Sequence, residues 1–397
     1  MNNNLKVQKN RKKLIVIETK NFDTGGLEKV ILDSAIELAK LGYEPHIVTP
    51  GIIGILAQMA RAEGIPVHSV KKKLQLLFLL GRLKPFISIS HFSYFGYKVY
   101  KYLGIPNVTF IHNIYAFLTK ESFKEFQESD KYVRKYISVS NLASIYAVEV
   151  LGIDVRKIVT VPNGLNTLSE DEKSKNVNSF ELSALGVDEN DFIFLNVAAY
   201  NLHKGHYLMA NALKQVLEFH PNVKLLCIGS QVYEPHFVEL KKYVKEIGIE
   251  SSMLFLGHHA DITWFYQNSD AFVLPSFIEG WSIAMNEAMY YKLPMILTSV
   301  GGAPEVINQN DIGILIPNEY GDIRNLNSSL LDELAYSPRR YKIEKNLVSA
   351  MRDFVSNPLI WKHRGELGRE KILKSHRLAD VVKSYSEVID EVANSEN

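Results

Sequence analysis

Cysteine is almost absent: Cys227 is the only one in 397 residues. An internal disulfide is therefore excluded, and so low a thiol content fits a reducing compartment. Cys227 lies inside the apolar run VKLLCIG, which marks it as a core residue rather than a nucleophile. No Cys/His spacing of the zinc-binding kind occurs, and the G-x-G-x-x-G fingerprint that a dehydrogenase needs is missing as well. Long apolar runs are also lacking. Leu14–Ile17 is too short for the core of a signal peptide, and GIIGILAQMA and LQLLFLLGRL fall well below a membrane span. Together these shortages predict a cytoplasmic chain, one that lies on the inner face of a membrane at most and does not cross it.

What is present is ordinary globular composition, with 46% hydrophobic and 22% charged residues, so disorder is not indicated. The length exceeds a single core and suits two domains. A net charge of +1 hides an asymmetry: residues 1–163 hold 23 Lys and Arg against 13 Asp and Glu, a net +10, and the remainder carries −9. A basic half joined to an acidic half predicts that the first faces something anionic. On counts alone, chance and solubility explain it equally well.

Apolar runs and helical spacing alternate along the chain. LIVIE (14–18) reads as a buried parallel strand. A polar loop with Gly25 and Gly26 follows, then Leu27, Val30, Ile31, Leu38 and Leu41 at helical spacing, with Gly42 as the stop. EPHIVTP, FISIS (86–90), NVTFIHN (107–113) and KYISVS (135–140) are further strands, and a helix is predicted near 72–83. The polar stretch 165–181, LNTLSEDEKSKNVNSFE, reads as a linker. Beyond it the strand pattern restarts at 192–198, 223–229, 253–257, 271–275, 294–298 and 313–317. The fold class is therefore α/β, two doubly wound parallel sheets, with domains at 1–164 and 165–370 and a closing helix at 371–397. In such sheets ligands bind outside the carboxyl ends of the strands, so two facing domains would make a cleft.

The segment SFIEGWSIAMNEAM (276–289) sets Glu279 and Glu287 eight positions apart. The strand before it should deliver Glu279 to a carboxyl edge, with a helix starting near Trp281. A helix start is a ready anion site. A carboxylate on each side of it suits a vicinal diol, whose two hydroxyls it accepts in a pair. The alternative is a capping carboxylate plus a salt-bridged helix residue, and spacing alone leaves both open.

The longer segment LPSFIEGWSIAMNEAMYYKLPMILTSVGGAPEVI resembles the signature of the family-4 retaining nucleotide-sugar glycosyltransferases. The match runs through Pro275, Ser276, Glu279, Gly280, Glu287, Ala288, Met289, Pro294, Gly301, Gly302, Pro304 and Glu305. TGGLEKV (24–30) is similar to the family's glycine loop, FIHN (110–113) to the strand end with its histidine, VPNG (161–164) to an interdomain element and NLHKGH (201–206) to its Lys-Gly. The resemblance implies the GT-B fold: two Rossmann-like domains, an N-terminal one for the acceptor and a C-terminal one for the donor, with the last helix packing back on the first domain. It implies that Lys204 and the amides near Gly25 and Gly26 hold the donor diphosphate. Glu287 would bind the ribose, and Glu279 with the amides of Gly280, Trp281, Ser282 and Ile283 would hold the transferred sugar. His112 would hydrogen-bond that sugar at the reacting centre. No metal and no cofactor are implied beyond the nucleotide-sugar co-substrate. Taken singly, His112 would read as a core histidine, Lys204 as a solvated lysine and Gly25–Gly26 as an ordinary loop.

Three positions depart from the pattern. The family's Arg, about five residues before the lysine, is absent: Ala199 and Tyr200 stand there. Asn166 replaces a common Asp, and Lys292 replaces a glycine after the helix, where an αL cap is at stake. The predicted activity is transfer of a sugar, with retention, to a glycan or lipid-linked acceptor of cell-surface polysaccharide synthesis. Lys71, Lys72, Lys73, Arg82 and Lys84 around LQLLFLL add an anionic membrane surface as a partner, with nucleic acid not expected. For that helix itself, leucines packed on the sheet with charges in water is the favoured reading. A non-catalytic partner subunit, motivated by the missing Arg, is the runner-up; a sugar-nucleotide epimerase ranks below it.

Overall fold

The computed structural model describes residues 13–395 apart from 176, 178, 179, 309, 310 and 337. The basic first twelve residues lie outside them. Each run read above as a strand forms one, because helices cover both sheet faces and leave no polar side to alternate with. The first sheet has seven strands: β1 Lys13–Thr19, β2 Tyr43–Thr49, β3 Val67–Ser69, β4 Ile87–His91, β5 Asn107–Ile111, β6 Lys135–Ser138 and β7 Ile158–Thr160. Their order is β3-β2-β1-β4-β5-β6-β7, with β1 parallel to both β2 and β4. Two of these strands, β3 and β7, are three residues long and carry no periodic signal.

The second sheet contains β8 Phe192–Val197, β9 Val223–Ile228, β10 Met253–Gly257, β11 Ala271–Leu274, β12 Met295–Thr298 and β13 Gly313–Ile316. It runs β10-β9-β8-β11-β12-β13, parallel throughout. The order reverses direction at β8/β11, the switch point where open α/β sheets bind their ligands.

By contact the chain divides into two compact units. One comprises Met1–Phe110, Glu125–Ile137 and Val382–Asn397; the other comprises Ile111–Lys124 and Ser138–Val381. The last helix, Leu378–Asn394, returns to the first unit, where Asp390 accepts from Lys13 Nζ at 2.7 Å and from Tyr43 Oη at 2.8 Å. The stretch read as a linker is not one throughout. Thr167–Lys175 is a helix, started by Asn166 Oδ1 accepting from Ser169 N–H, and it buries Glu170 against Tyr291 Oη at 2.8 Å. Its polar composition hid it: the helix is nearly all hydrophilic and docks by hydrogen bonds rather than by an apolar stripe.

In the first unit Glu18, at the carboxyl end of β1, is fully buried, with no salt-bridge partner among the described residues. Its carboxylate accepts from Phe95 N–H (3.1 Å), Gly96 N–H (3.2 Å) and Tyr100 Oη (2.6 Å), and so pins the loop after β4. Burial pushes the carboxyl above its ordinary 4.5, outweighing hydrogen bonds from Ser93, Tyr100, Gly96 and Phe95. The native state then keeps this proton to higher pH than the unfolded chain. Stability from this group is full at low pH and declines as pH rises above 4.5. Urea unfolding at pH 5 and pH 8 should show that decline, and Glu18→Gln should flatten it; an unchanged slope in the variant would contradict the assignment.

Candidate active site

The loop after β11 and the loop after β8 meet at the carboxyl edge of the second sheet. Phe277 N–H donates to His203 O at 2.8 Å. Gly205, at φ +78, passes so close that a Cβ there would lie 2.2 Å from Pro275 O. This approach sets Lys204 beside Glu279: Lys204 Nζ donates to Glu279 Oε1 at 2.6 Å, and Ser276 Oγ donates to the same oxygen at 2.9 Å. Both side chains are largely buried, 22% and 13% exposed. Two residues read separately from the sequence are therefore one ion pair.

The helix after this loop is Ile283–Tyr290, and Ser282 is its N-cap, accepting from Met285 N–H at 3.3 Å. It begins two residues later than the sequence predicts, so Trp281 belongs to the loop. Three hydrogen bonds fix that loop. Trp281 Nε1–H donates to Asn286 Oδ1 (2.9 Å), Asn286 Nδ2 to Asn163 O (3.0 Å), and Asn163 Nδ2 to Trp281 O (3.1 Å). Asn286 is fully buried at a helix position that periodicity assigns to an apolar residue. Neither Asn163 nor Asn286 stands out as a site residue in the sequence; a buried amide in an apolar helix is the signal that marks the second.

Gly280 lies against the backbone of His112, in the same unit: a Cβ there would sit 1.9 Å from His112 O. On the other side Gly302 N–H donates to Gly280 O at 2.8 Å, and a Cβ at Gly302 would strike the Trp281 ring at 2.1 Å. So His112, Gly280, Trp281, Gly301 and Gly302 are brought together. Burial pushes the His112 imidazole down to about 3, which keeps it neutral near pH 7. Glu305 closes the motif by accepting from Asn141 N–H at 2.7 Å.

Glu287 lies on the other flank of the helix. It accepts from the buried Tyr266 Oη at 2.8 Å, and it does not line the narrow cavity that holds Glu279, Ser282 and Met285. Lys173, from the helix in the supposed linker, lies in the field of Glu287. Burial works against the lysine's charge, but Glu170, Glu287 and Asp261 outweigh it and raise its pKa. Gly25 and Gly26 belong to the first unit, at the start of the helix Gly26–Lys40. There the Glu28 carboxylate already accepts from its own amide, and a Cβ at Gly25 would meet it at 2.4 Å. Among the described residues no group of three or more His, Cys, Asp and Glu is arranged to hold a metal ion.

The family model described as Glycosyltransferase Family 4 matches residues 24–167, and the one described as Glycosyl transferases group 1 matches residues 178–347. The chain belongs to the family-4 glycosyltransferases. The UDP-Gal:alpha-D-GlcNAc-diphosphoundecaprenol alpha-1,3-galactosyltransferase of Escherichia coli is 26% identical over 283 residues, which cover 67% of this chain and 70% of that one. The capsular polysaccharide biosynthesis glycosyltransferase CapM of Staphylococcus aureus is 23% identical, covering 74% and 79%. In fold the chain matches Anabaena Alr3699/HepE, solved in complex with UDP and glucose, with a TM-score of 0.77 at 16% identity over 96% of this chain and 100% of that one.

In this glycosyltransferase the place of the missing Arg is taken up structurally. Tyr200 is buried, and its Oη donates to Cys227 O (2.8 Å) and accepts from Gly257 N–H (3.0 Å). One side chain thus ties the carboxyl ends of β8, β9 and β10. Its ring stacks on Phe237 at 4.6 Å, and both rings line a cavity of about 410 Å³ with Gly229, Ser230, Lys241 and His258. Sequence reading missed this cavity because its walls come from four separate segments. Cys227 is fully buried and its thiol is pushed upward by burial, as a core residue should be. Lys292 adopts φ +65, the left-handed position its place after the helix requires.

Asn286→Ala leaves the Trp281 indole N–H and the Asn163 carbonyl without partners. The expected loss is about 2 kcal/mol of unfolding free energy by urea titration, and a change below a few tenths would show that the three-way bond does not hold the loop.

Proposed function

We propose that the glycosyltransferase moves a sugar from a nucleoside-diphosphate donor to an acceptor hydroxyl, with retention at the anomeric carbon and without a metal. The observation that carries this reading is the Lys204–Glu279 pair at the switch point of the second sheet, beside the capped start of Ile283–Tyr290. A cation there meets the diphosphate, and its charge, with the helix amides, offsets what develops on the leaving group. Lys204 would then turn from Glu279 to the phosphates, and the freed carboxylate would accept from the sugar hydroxyls. The amides of Gly280, Trp281, Ser282 and Ile283 hold the same sugar. Glu287 takes the ribose hydroxyls, with Tyr266 fixing its other oxygen. Neutral His112 is suited to hydrogen-bond the sugar rather than to repel a cationic anomeric centre. The aromatic cavity at Tyr200 and Phe237 suits the base, by stacking. For Gly25 and Gly26 the proposed role stays the one the resemblance implies, amide contacts to phosphate.

UDP is the first nucleotide to try, since it is the one named in the Escherichia coli relative's donor and seen with the Anabaena protein. That relative's acceptor is a diphosphoundecaprenol-linked sugar, which supports a lipid-linked acceptor here in polysaccharide or glycoconjugate synthesis. The net charge of +10 on residues 1–163 suits an anionic membrane surface, reached from the cytoplasmic side. Tyr200, standing where an Arg is expected, is the observation behind the second reading, a non-catalytic partner subunit.

Calorimetry with UDP and GDP sugars tests the donor site. Binding is expected for at least one donor, with Lys204→Ala and Glu287→Ala each lowering turnover about a hundredfold, roughly 3 kcal/mol. Proton NMR of the product should show the anomeric configuration of the donor kept. Donor binding without turnover by this chain alone would favour the partner subunit, and no donor binding would overturn both readings.

A further inference from the structure

The first unit exposes a face that the proposed chemistry does not use. Between Glu63 and Glu121 the chain has no acidic residue, yet this stretch holds Lys71, Lys72, Lys73, Arg82, Lys84, Lys98, Lys101 and Lys120. All but the last flank or lie on two neighbouring helices, Lys73–Leu83 and Tyr97–Tyr102. Lys73 and Lys98 both reach the ring of Tyr97, their Nζ atoms 5.8 and 5.6 Å from its centre, so the start of the first helix lies beside the start of the second.

The favoured sequence reading of the first helix holds only in part. Leu76 and Leu80 are buried with Val16, Val48, Val70 and Val99. The opposite row is also apolar. Leu74 is 61% exposed and Phe78, one turn on, 71% exposed, with Arg82 next in the row. On the second helix Tyr102 is 79% exposed. A solvated helix face has no use for a leucine and a phenylalanine in register, and covering them with water is unfavourable. Charge alone would suit any polyanion. Apolar and aromatic side chains standing out among lysines suit an interface where headgroups give way to acyl chains.

We propose that the face formed by Lys73–Leu83 and Tyr97–Tyr102 docks on an anionic lipid bilayer. Leu74, Phe78 and Tyr102 enter the boundary layer while Lys71, Lys72, Lys73, Arg82, Lys84, Lys98 and Lys101 meet the headgroup charge. The surface follows from these residues alone; only its use, holding the enzyme beside a lipid-linked acceptor, rests on the proposed reaction.

The test is co-sedimentation of the full chain with vesicles of phosphatidylcholine alone, or with about a third phosphatidylglycerol, at low and high salt. The wild type is expected to pellet only with the anionic vesicles and to be released by salt. K71E/K72E/K73E and L74S/F78S should each reduce the bound fraction at least about tenfold, while K345E/K374E, exposed lysines of the other unit, should not. Circular dichroism melts confirm that each variant folds. Equal binding to both vesicle types, wild-type binding by either patch variant, or no vesicle binding but salt-sensitive binding to single-stranded RNA would each overturn the proposal. UDP titration of the same samples separates the two ideas, since loss of vesicle binding should leave nucleotide binding unchanged.

Discussion

Gly280 is held between the backbone of His112 and that of Gly301 and Gly302, with no room for even one carbon on its Cα. The rest of the site hangs on that packing. It brings the strand end that carries His112 against the loop that carries Glu279, and it lets Gly302 N–H close on Gly280 O. The indole of Trp281 then packs against Gly302, where its N–H finds Asn286, and the Trp281 main-chain carbonyl finds Asn163. A Cβ at Gly280 or Gly301 would force backbone apart and one at Gly302 would strike the Trp281 ring, so the glycines of this segment matter for close approach more than for turn conformation. Gly301, at φ +53, needs both.

Within that frame the electrostatics are economical. A lysine and a glutamate, each mostly removed from water, would be costly alone and are tolerated as a pair. In the proposed reaction a diphosphate would offer Lys204 a doubly charged partner and sugar hydroxyls would offer Glu279 donors, so both charges would stay compensated on parting. Tyr200 complements this arrangement. Where the family's Arg is missing, a phenol ties three strand ends and walls the neighbouring cavity, which Lys241 also lines.

The alternation of apolar runs and helical spacing was enough to read two parallel sheets, because a strand covered on both faces must be apolar throughout. The three-residue strands β3 and β7 were not legible, being too short to carry a period. Nor was the helix Thr167–Lys175, whose charged residues imitate a linker until Glu170 and Lys173 find Tyr291 and Glu287 as neighbours. For the candidate site, Glu279, Glu287, Lys204 and His112 were singled out by joint occurrence in one order, and of these the fold pairs Lys204 with Glu279, whereas Asn163, Asn286 and Tyr266 were not singled out, since each gains its partner more than twenty residues away or on the far side of a helix.

By itself, then, the sequence determined the fold class and the cast of charged residues, since periodicity and motif order are properties of the chain read in one dimension. Through the family pattern it also marked Lys292 as a left-handed position, but it gave no sign of Lys84 or Phe92, which adopt φ +50 and +52. Which charges neutralise one another was decided only in three dimensions. Lys204 lies 75 positions from Glu279, and no local rule links them. The contact arises because the sheet order places β8 next to β11, so that loops from both strands end at one edge.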